Sequence, residues 1–119
     1  MRLVHRPAED VASEAVIATE IEVADSFLSR ARGLMFRRSI PDEYGLVFRF
    51  GEPASRDLHM VFVPFAIDAV WLVDGEVTAV ERLQPWIGLG KATADMVLEL
   101  PAGAAADIEP GDTVTLVDR

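Results

Sequence analysis

The sequence predicts an α+β domain: a mostly antiparallel, curled or barrel-like β-sheet of about seven strands, one packed α-helix and a short second helix. Three observations predict it. Short apolar or alternating runs recur along the chain, each bounded by Gly, Pro or Asp. One segment instead places Phe27, Leu28, Ala31 and Leu34 at helical spacing, with Ser29, Arg30 and Arg32 facing outward. Asp74-Gly75 stands between two hydrophobic runs, and both residues tolerate the positive φ of a tight hairpin turn.

The elements follow in order. Residues 9–14 read as a loop or short helical turn. From Val16 to Val23, Ile17, Thr19, Ile21 and Val23 alternate with polar positions, which predicts a strand with one wet face. Asp25 or Ser26 can cap the helix that follows, and Gly33 can end it in a left-handed cap. Tyr44 to Phe50 is a second strand, broken by Gly51-Glu52-Pro53. Strands are expected over 58–63 and 67–73, separated by Pro64, and 76–83 forms the second arm of the Asp74-Gly75 hairpin. The glycine-rich run 85–90 suits no regular element. A strand over 95–100, a short helix over 101–107 and a last strand over 113–117 complete the chain.

A chain of 119 residues fits one domain that buries roughly two-thirds of its unfolded surface. Residues 1–14 are read as an N-terminal strand or loop extension and residues 15–119 as a single globular domain. With no cysteine, disulfides and thiolate metal sites are excluded. No window approaches the ~20 apolar residues of a membrane span, and no signal peptide is visible, so a soluble cytoplasmic protein is expected.

The net charge is −9, from 20 acidic against 11 basic residues, of which only Lys91 is a lysine. That balance argues against nucleic-acid binding, which needs a basic footprint. Two sources explain it equally: adaptation to a salt-rich cytoplasm, where screening relieves carboxylate repulsion, or a GC-rich genome.

The polar residues in apolar surroundings are the site candidates. Asp68 lies between Ile67 and Ala69 in the most apolar run of the chain, where a carboxylate costs free energy unless it is bonded or paired. It reads either as a ligand-facing carboxylate or as a structural one. His59, nine residues earlier on an adjacent expected strand, could meet it as an acid–base pair or simply bond a carbonyl. Arg30, Arg32, Arg37 and Arg38 put four of the 11 basic residues within nine positions; Arg32 or Arg38 could grip an anion, or the group could serve the helix terminus and nearby carboxylates. Trp86 reads as a lid or as a plug for the open end of a barrel. His5 is the only other imidazole, so no metal site is expected, and no cofactor.

Taken in order, Arg30-Ala31-Arg32-Gly33-Leu34-Met35-Phe36-Arg37, Ile40-Pro41, Gly45-Leu46-Val47-Phe48, Met60, Pro64, Ile67-Asp68, Trp71-Leu72, Asp74-Gly75, Val97-Leu98-Glu99-Leu100, Ala102-Gly103 and Gly111-Asp112 resemble the domain-of-unknown-function family 192 over residues 15–117. The resemblance implies a single β-rich domain with a packed helix and carries no established activity. Many members have Trp-Met-Lys-Asn where this chain has His59-Met60-Val61-Phe62. The resulting expectation is a protein that binds a small polar or anionic ligand in a cleft near Asp68, with Arg32, Arg38 and Trp86 contributing. The alternatives are an enzyme using His59 and Asp68 as acid and base, and a protein-interaction module. Neither nucleic acid nor membrane is an expected partner, and the oligomeric state is left open.

Overall fold

A computed structural model describes residues 1–26, 30 and 32–118. Its strands are β1 (Arg2–Arg6), β2 (Ala15–Ala18), β3 (Glu20–Ala24), β4 (Tyr44–His59), β5 (Ile67–Val73), β6 (Glu76–Leu83), β7 (Leu89–Pro101) and β8 (Thr113–Val117), with one 3-10 turn at Val11–Ser13. All eight strands belong to one open sheet in the order β2-β1-β8-β6-β5-β7-β4-β3, antiparallel except for the β3–β4 pair.

The expected α+β class is therefore corrected to nearly all β. Of the expected first helix, Phe27, Leu28, Ser29 and Ala31 lie outside the described residues. The described chain beyond them turns over 33–36, with Gly33 at φ +50°. The expected second helix is a chain of turns. Ala104, Ala106 and Ile108 each donate to a carbonyl three residues back, and Gly103 at φ +98° cannot continue a right-handed helix. The alanine-rich composition of 101–107 favours helix locally, but the tertiary contacts of the turns prevail. The residue count per strand also differs from expectation. β4 runs through Gly51-Glu52-Pro53 with a register shift between Arg49 and Ala54 rather than ending there.

The curl of the sheet follows from chain connectivity. β2 and β3 occupy opposite ends of the strand order, yet only Thr19 separates them in sequence. Flat, seven strand spacings would hold them ~34 Å apart, whereas the two peptide steps from Ala18 to Glu20 span at most ~7 Å. The sheet must coil until its edges nearly meet. Thr19 and Glu20 both donate backbone N–H groups to the Glu43 carbonyl at that seam (2.9 Å each).

Side-chain alternation then divides the apolar residues between two cores. Leu3, Val47, Val70, Leu72, Leu98 and Val114 gather on the concave side, joined by Ala105 and Ile108 from the 101–108 turns, which close one end. On the convex side, Leu46, Phe48, Ile67, Ala69, Trp71 and Val97 pack beneath Leu34, Met60 and Val63. The central strand β5 is buried on both faces, and Trp71, fully enclosed, donates its indole N–H to the Arg56 carbonyl at 2.9 Å. Among the described residues, no helix is long and apolar enough to cross a membrane.

Candidate functional site

Asp68 starts β5 on the concave side, and both of its oxygens are occupied. Oδ2 accepts the backbone N–H groups of Gly103 (2.9 Å) and Ala105 (3.0 Å), and Oδ1 accepts from Arg82 Nε. The carboxylate thus ties the closing turns to the sheet. His59, at the end of β4, is exposed, and its Nδ1 accepts the Val61 N–H at 3.3 Å. The two residues are not brought together, and no hydrogen bond joins them.

The buried carboxylate that does face a cleft is Glu99. Its β7 register opposes it to Ala69 on β5 and Leu46 on β4, so it projects onto the convex side among apolar neighbours. It is 6% exposed, and no described residue hydrogen-bonds it. Every fully enclosed polar side-chain atom among the described residues has a partner, so the Glu99 oxygens must open into the cleft. Burial pushes its pKa up to about 8, against the opposing effect of the Arg37 charge. At neutral pH the group is a carboxylic acid able to donate a hydrogen bond.

The cleft around Glu99 has a volume of about 190 Å³ and is lined by Arg30, Arg32, Asp57, Leu58 and His59, with Gly33 and Leu34 above. It shares Arg30, Phe48, Asp57 and Leu58 with an outer groove of about 420 Å³, floored by Phe50 and Val97 and rimmed by Ser55 and Arg56. Arg56 lies 3.9 Å above the Phe50 ring and Arg30 5.2 Å from it. Arg56 is fixed by the carbonyls of Ala94 (3.1 Å) and Glu52 (2.7 Å), and Arg30 by that of Asp25. Gly33 leaves the cleft its room. A Cβ there would sit 3.3 Å from Phe48 Cζ and 3.4 Å from Glu99 Oε1.

The 33–38 turn that roofs the cleft is anchored at both ends. Leu34 is buried in the convex core. Arg37 donates from its two terminal nitrogens to Glu22 Oε1 (2.8 Å) and Oε2 (3.1 Å), and Tyr44 donates to Glu22 Oε1 at 2.9 Å. Arg37 holds the Glu22 carboxyl below its usual range, and burial with the Glu22 bond raises the Tyr44 hydroxyl.

Beside the cleft runs a row of aromatic rings. Phe36 stacks on Phe62 with centroids 4.8 Å apart, and Phe62 meets Trp86 edge to face at 6.1 Å. All three have left-handed backbones, at φ +69°, +61° and +66°. Bulky residues rarely take that conformation, which costs on the order of 1–3 kcal/mol each. Interlocking bonds hold them there: Phe36 N–H to the Phe62 carbonyl at 2.8 Å, and Trp86 N–H to the Val63 carbonyl at 3.1 Å.

The family model for DUF192, described as an uncharacterized ACR, matches residues 9–116. The chain belongs to the DUF192 family. Among its relatives is the UPF0127 protein of Pyrococcus horikoshii, 36% identical over 101 residues, covering 80% of this chain and 85% of that protein. The fold matches a Novosphingobium aromaticivorans crystal structure of unknown function, with TM-score 0.80 and 25% identity, covering 98% of this chain and 84% of that one. It also matches a Sinorhizobium meliloti crystal structure, with TM-score 0.83 and 24% identity, covering 96% of this chain and 91% of that one. The latter likeness speaks to fold alone.

Of the residues expected to form a site in this DUF192 chain, Arg32 and His59 line the Glu99 cleft. Arg38 is exposed, Trp86 belongs to the aromatic row, and Asp68 faces the opposite core. Glu99 was within reach of sequence reasoning. Leu98-Glu99-Leu100 presents the same carboxylate-between-apolar-residues pattern as Ile67-Asp68-Ala69.

Proposed function

We propose that this DUF192 domain binds a small organic anion in the Glu99 cleft and its outer groove. The observation that carries the reading is Glu99 itself, a buried carboxyl group without a described partner whose oxygens face a cleft lined by Arg30 and Arg32. A concave site with an apolar floor and a few converging polar groups is the usual form of a small-molecule site. The arginines supply charge for a carboxylate or phosphate. Neutral Glu99 supplies a donor without repelling the anion, and Phe48, Phe50 and Val97 accept an apolar body. The ligand-binding expectation is thereby moved from Asp68 to the convex face.

The test is calorimetric titration and thermal shift with benzoate, octanoate and inorganic phosphate as probes. At least one carboxylate should raise Tm, with binding lost in Arg32→Ala and weakened above pH 8 as Glu99 ionises. No response to any probe would sink the reading.

A second reading has one observation in its favour. A carboxyl group titrating near 8 with His59 on the same cleft is suited to proton transfer, so an acid–base enzyme is the alternative. Turnover abolished in Glu99→Gln, rather than binding altered, would identify it.

A further inference from the structure

We propose that the aromatic row is the surface through which two copies of this chain pair about a two-fold axis. Phe36, Val61, Phe62, Trp86, Ile87 and Leu89 are 44–81% exposed and lie on three turns and the first residue of β7. At those exposures six large apolar side chains leave roughly several hundred Å² of apolar surface open. The largest patch on a typical monomer is about 300–600 Å², and a standard interface takes about 800 Å² from each partner.

The backbone of these turns is prepared for burial. The N–H groups of Phe36, Met60, Val63, Trp86, Ile87 and Gly88 all donate to carbonyls within or between the turns. Excluding water from them leaves no orphaned donor among these six. The three left-handed aromatics point the same way, because strain of that kind persists where a fold over-determines a conformation for use.

Charge selects the partner. None of the segments 33–38, 60–63 and 84–90 contains Asp or Glu, in a chain with 20 of them. For a protein of net charge −9, this is a face on which two copies can meet without opposing carboxylates. The ends of the row differ in sign. Exposed Arg38 follows Phe36 at one end, while Leu89 at the other borders a shallow pocket with Asp57, Glu81 and Lys91, a net negative group. An isologous pairing runs the two rows antiparallel and sets the basic end of each copy against the acidic end of the other.

Sedimentation equilibrium of the full chain, at low and molar salt, tests the pairing. The expected result is a species of twice 13.0 kDa. Ile87→Glu should raise its dissociation constant at least tenfold, and Trp86→Ser should do the same should Ile87→Glu not fold. Arg38→Glu should weaken the dimer severalfold, and Arg38→Glu combined with Glu81→Arg should restore it. A monomer at all concentrations up to about 1 mM overturns the proposal, as does a dimer that both Ile87→Glu and Trp86→Ser leave intact. Failure of the charge-swapped double variant to recover overturns the antiparallel arrangement. Co-sedimentation of a monomeric protein with phosphatidylglycerol vesicles would assign the row to a lipid surface instead.

Discussion

Asp68 and Glu99 are buried carboxyl groups on neighbouring strands that point to opposite faces of the sheet. Glu99 pairs with Ala69 and Asp68 with Leu100, so a one-residue offset in the β5–β7 register separates them. On the concave face, Asp68 meets the N–H groups of a turn and a guanidinium. On the convex face, Glu99 meets apolar side chains and an opening. Two residues of like chemistry are thus given different work by the pleat alone.

The first prediction concerns Glu99 and pH. Its folded pKa of about 8 exceeds the ordinary 4.5, so between those values the unfolded chain has released a proton that the folded chain retains. Stability should therefore fall as pH rises from about 4.5 to 8, and level off above. Glu99→Gln should flatten this dependence and gain on the order of a few kcal/mol at pH 9, read from denaturant midpoints across pH.

The second contrasts the two ends of the Asp68 network. Asp68→Ala leaves the Gly103 and Ala105 N–H groups without their acceptor in a buried setting, and should cost about 2–4 kcal/mol. Arg82→Ala should cost much less, because Arg82 is half exposed and water replaces what it loses. Chemical denaturation of both variants checks the ranking.

Asp112 supplies a third. It accepts from the Ala8 N–H (2.9 Å) and the Glu109 N–H (3.0 Å) and pairs with His5 Nε2 (2.8 Å), fastening β1 to the turn before β8. Burial works against its charge, but these partners outweigh burial and hold its pKa below 3.8. The stabilisation is present above the ordinary carboxylate range and is lost as pH falls through the lowered value. Asp112→Asn should shift acid unfolding to higher pH and accelerate amide exchange in β1.

Phe62 supplies a fourth. Its left-handed backbone suits Asn and opposes a β-branched residue. Phe62→Asn should change stability by no more than about 1 kcal/mol, strain relief offsetting the lost ring stacking. Phe62→Val, although apolar, should lose about 1–3 kcal/mol more than Phe62→Asn. Thermal unfolding of the pair separates backbone from side-chain effects.

The hairpin was fully legible in the sequence. Asp74 and Gly75 take φ of +50° and +82°, and the flanking strands match the expected 67–73 and 76–83. The final strand was legible for the same reason, its turn being announced by Gly111-Asp112. The long strands were not. Gly51 and Pro53 look like a terminus locally, but pairing of Ala54 to His59 with β7 carries β4 past them. The candidate site was half legible, since of the expected residues only Arg32 and His59 line the Glu99 cleft. A lone carboxylate among apolar residues was sound grounds for attention to Asp68, yet the pattern recurs at Glu22, Asp95, Glu99 and Asp107. Only the register tells which copy is sealed by backbone donors and which opens on a cleft. The aromatic row was hidden because Phe36, Phe62 and Trp86 come from three separate segments.

Thr19 joins the two margins of the coiled sheet with a single residue, so neither margin can fray independently. Peeling β3 from β4 pulls on β2, and loss of β2 exposes β1 in turn. This linkage also shields unpaired strand backbone from recruitment by other chains, a hazard of open sheets. Relocating the chain termini to this junction would sever it and leave two free margins, turning a self-contained coil into a sheet prone to exchanging strands with its neighbours.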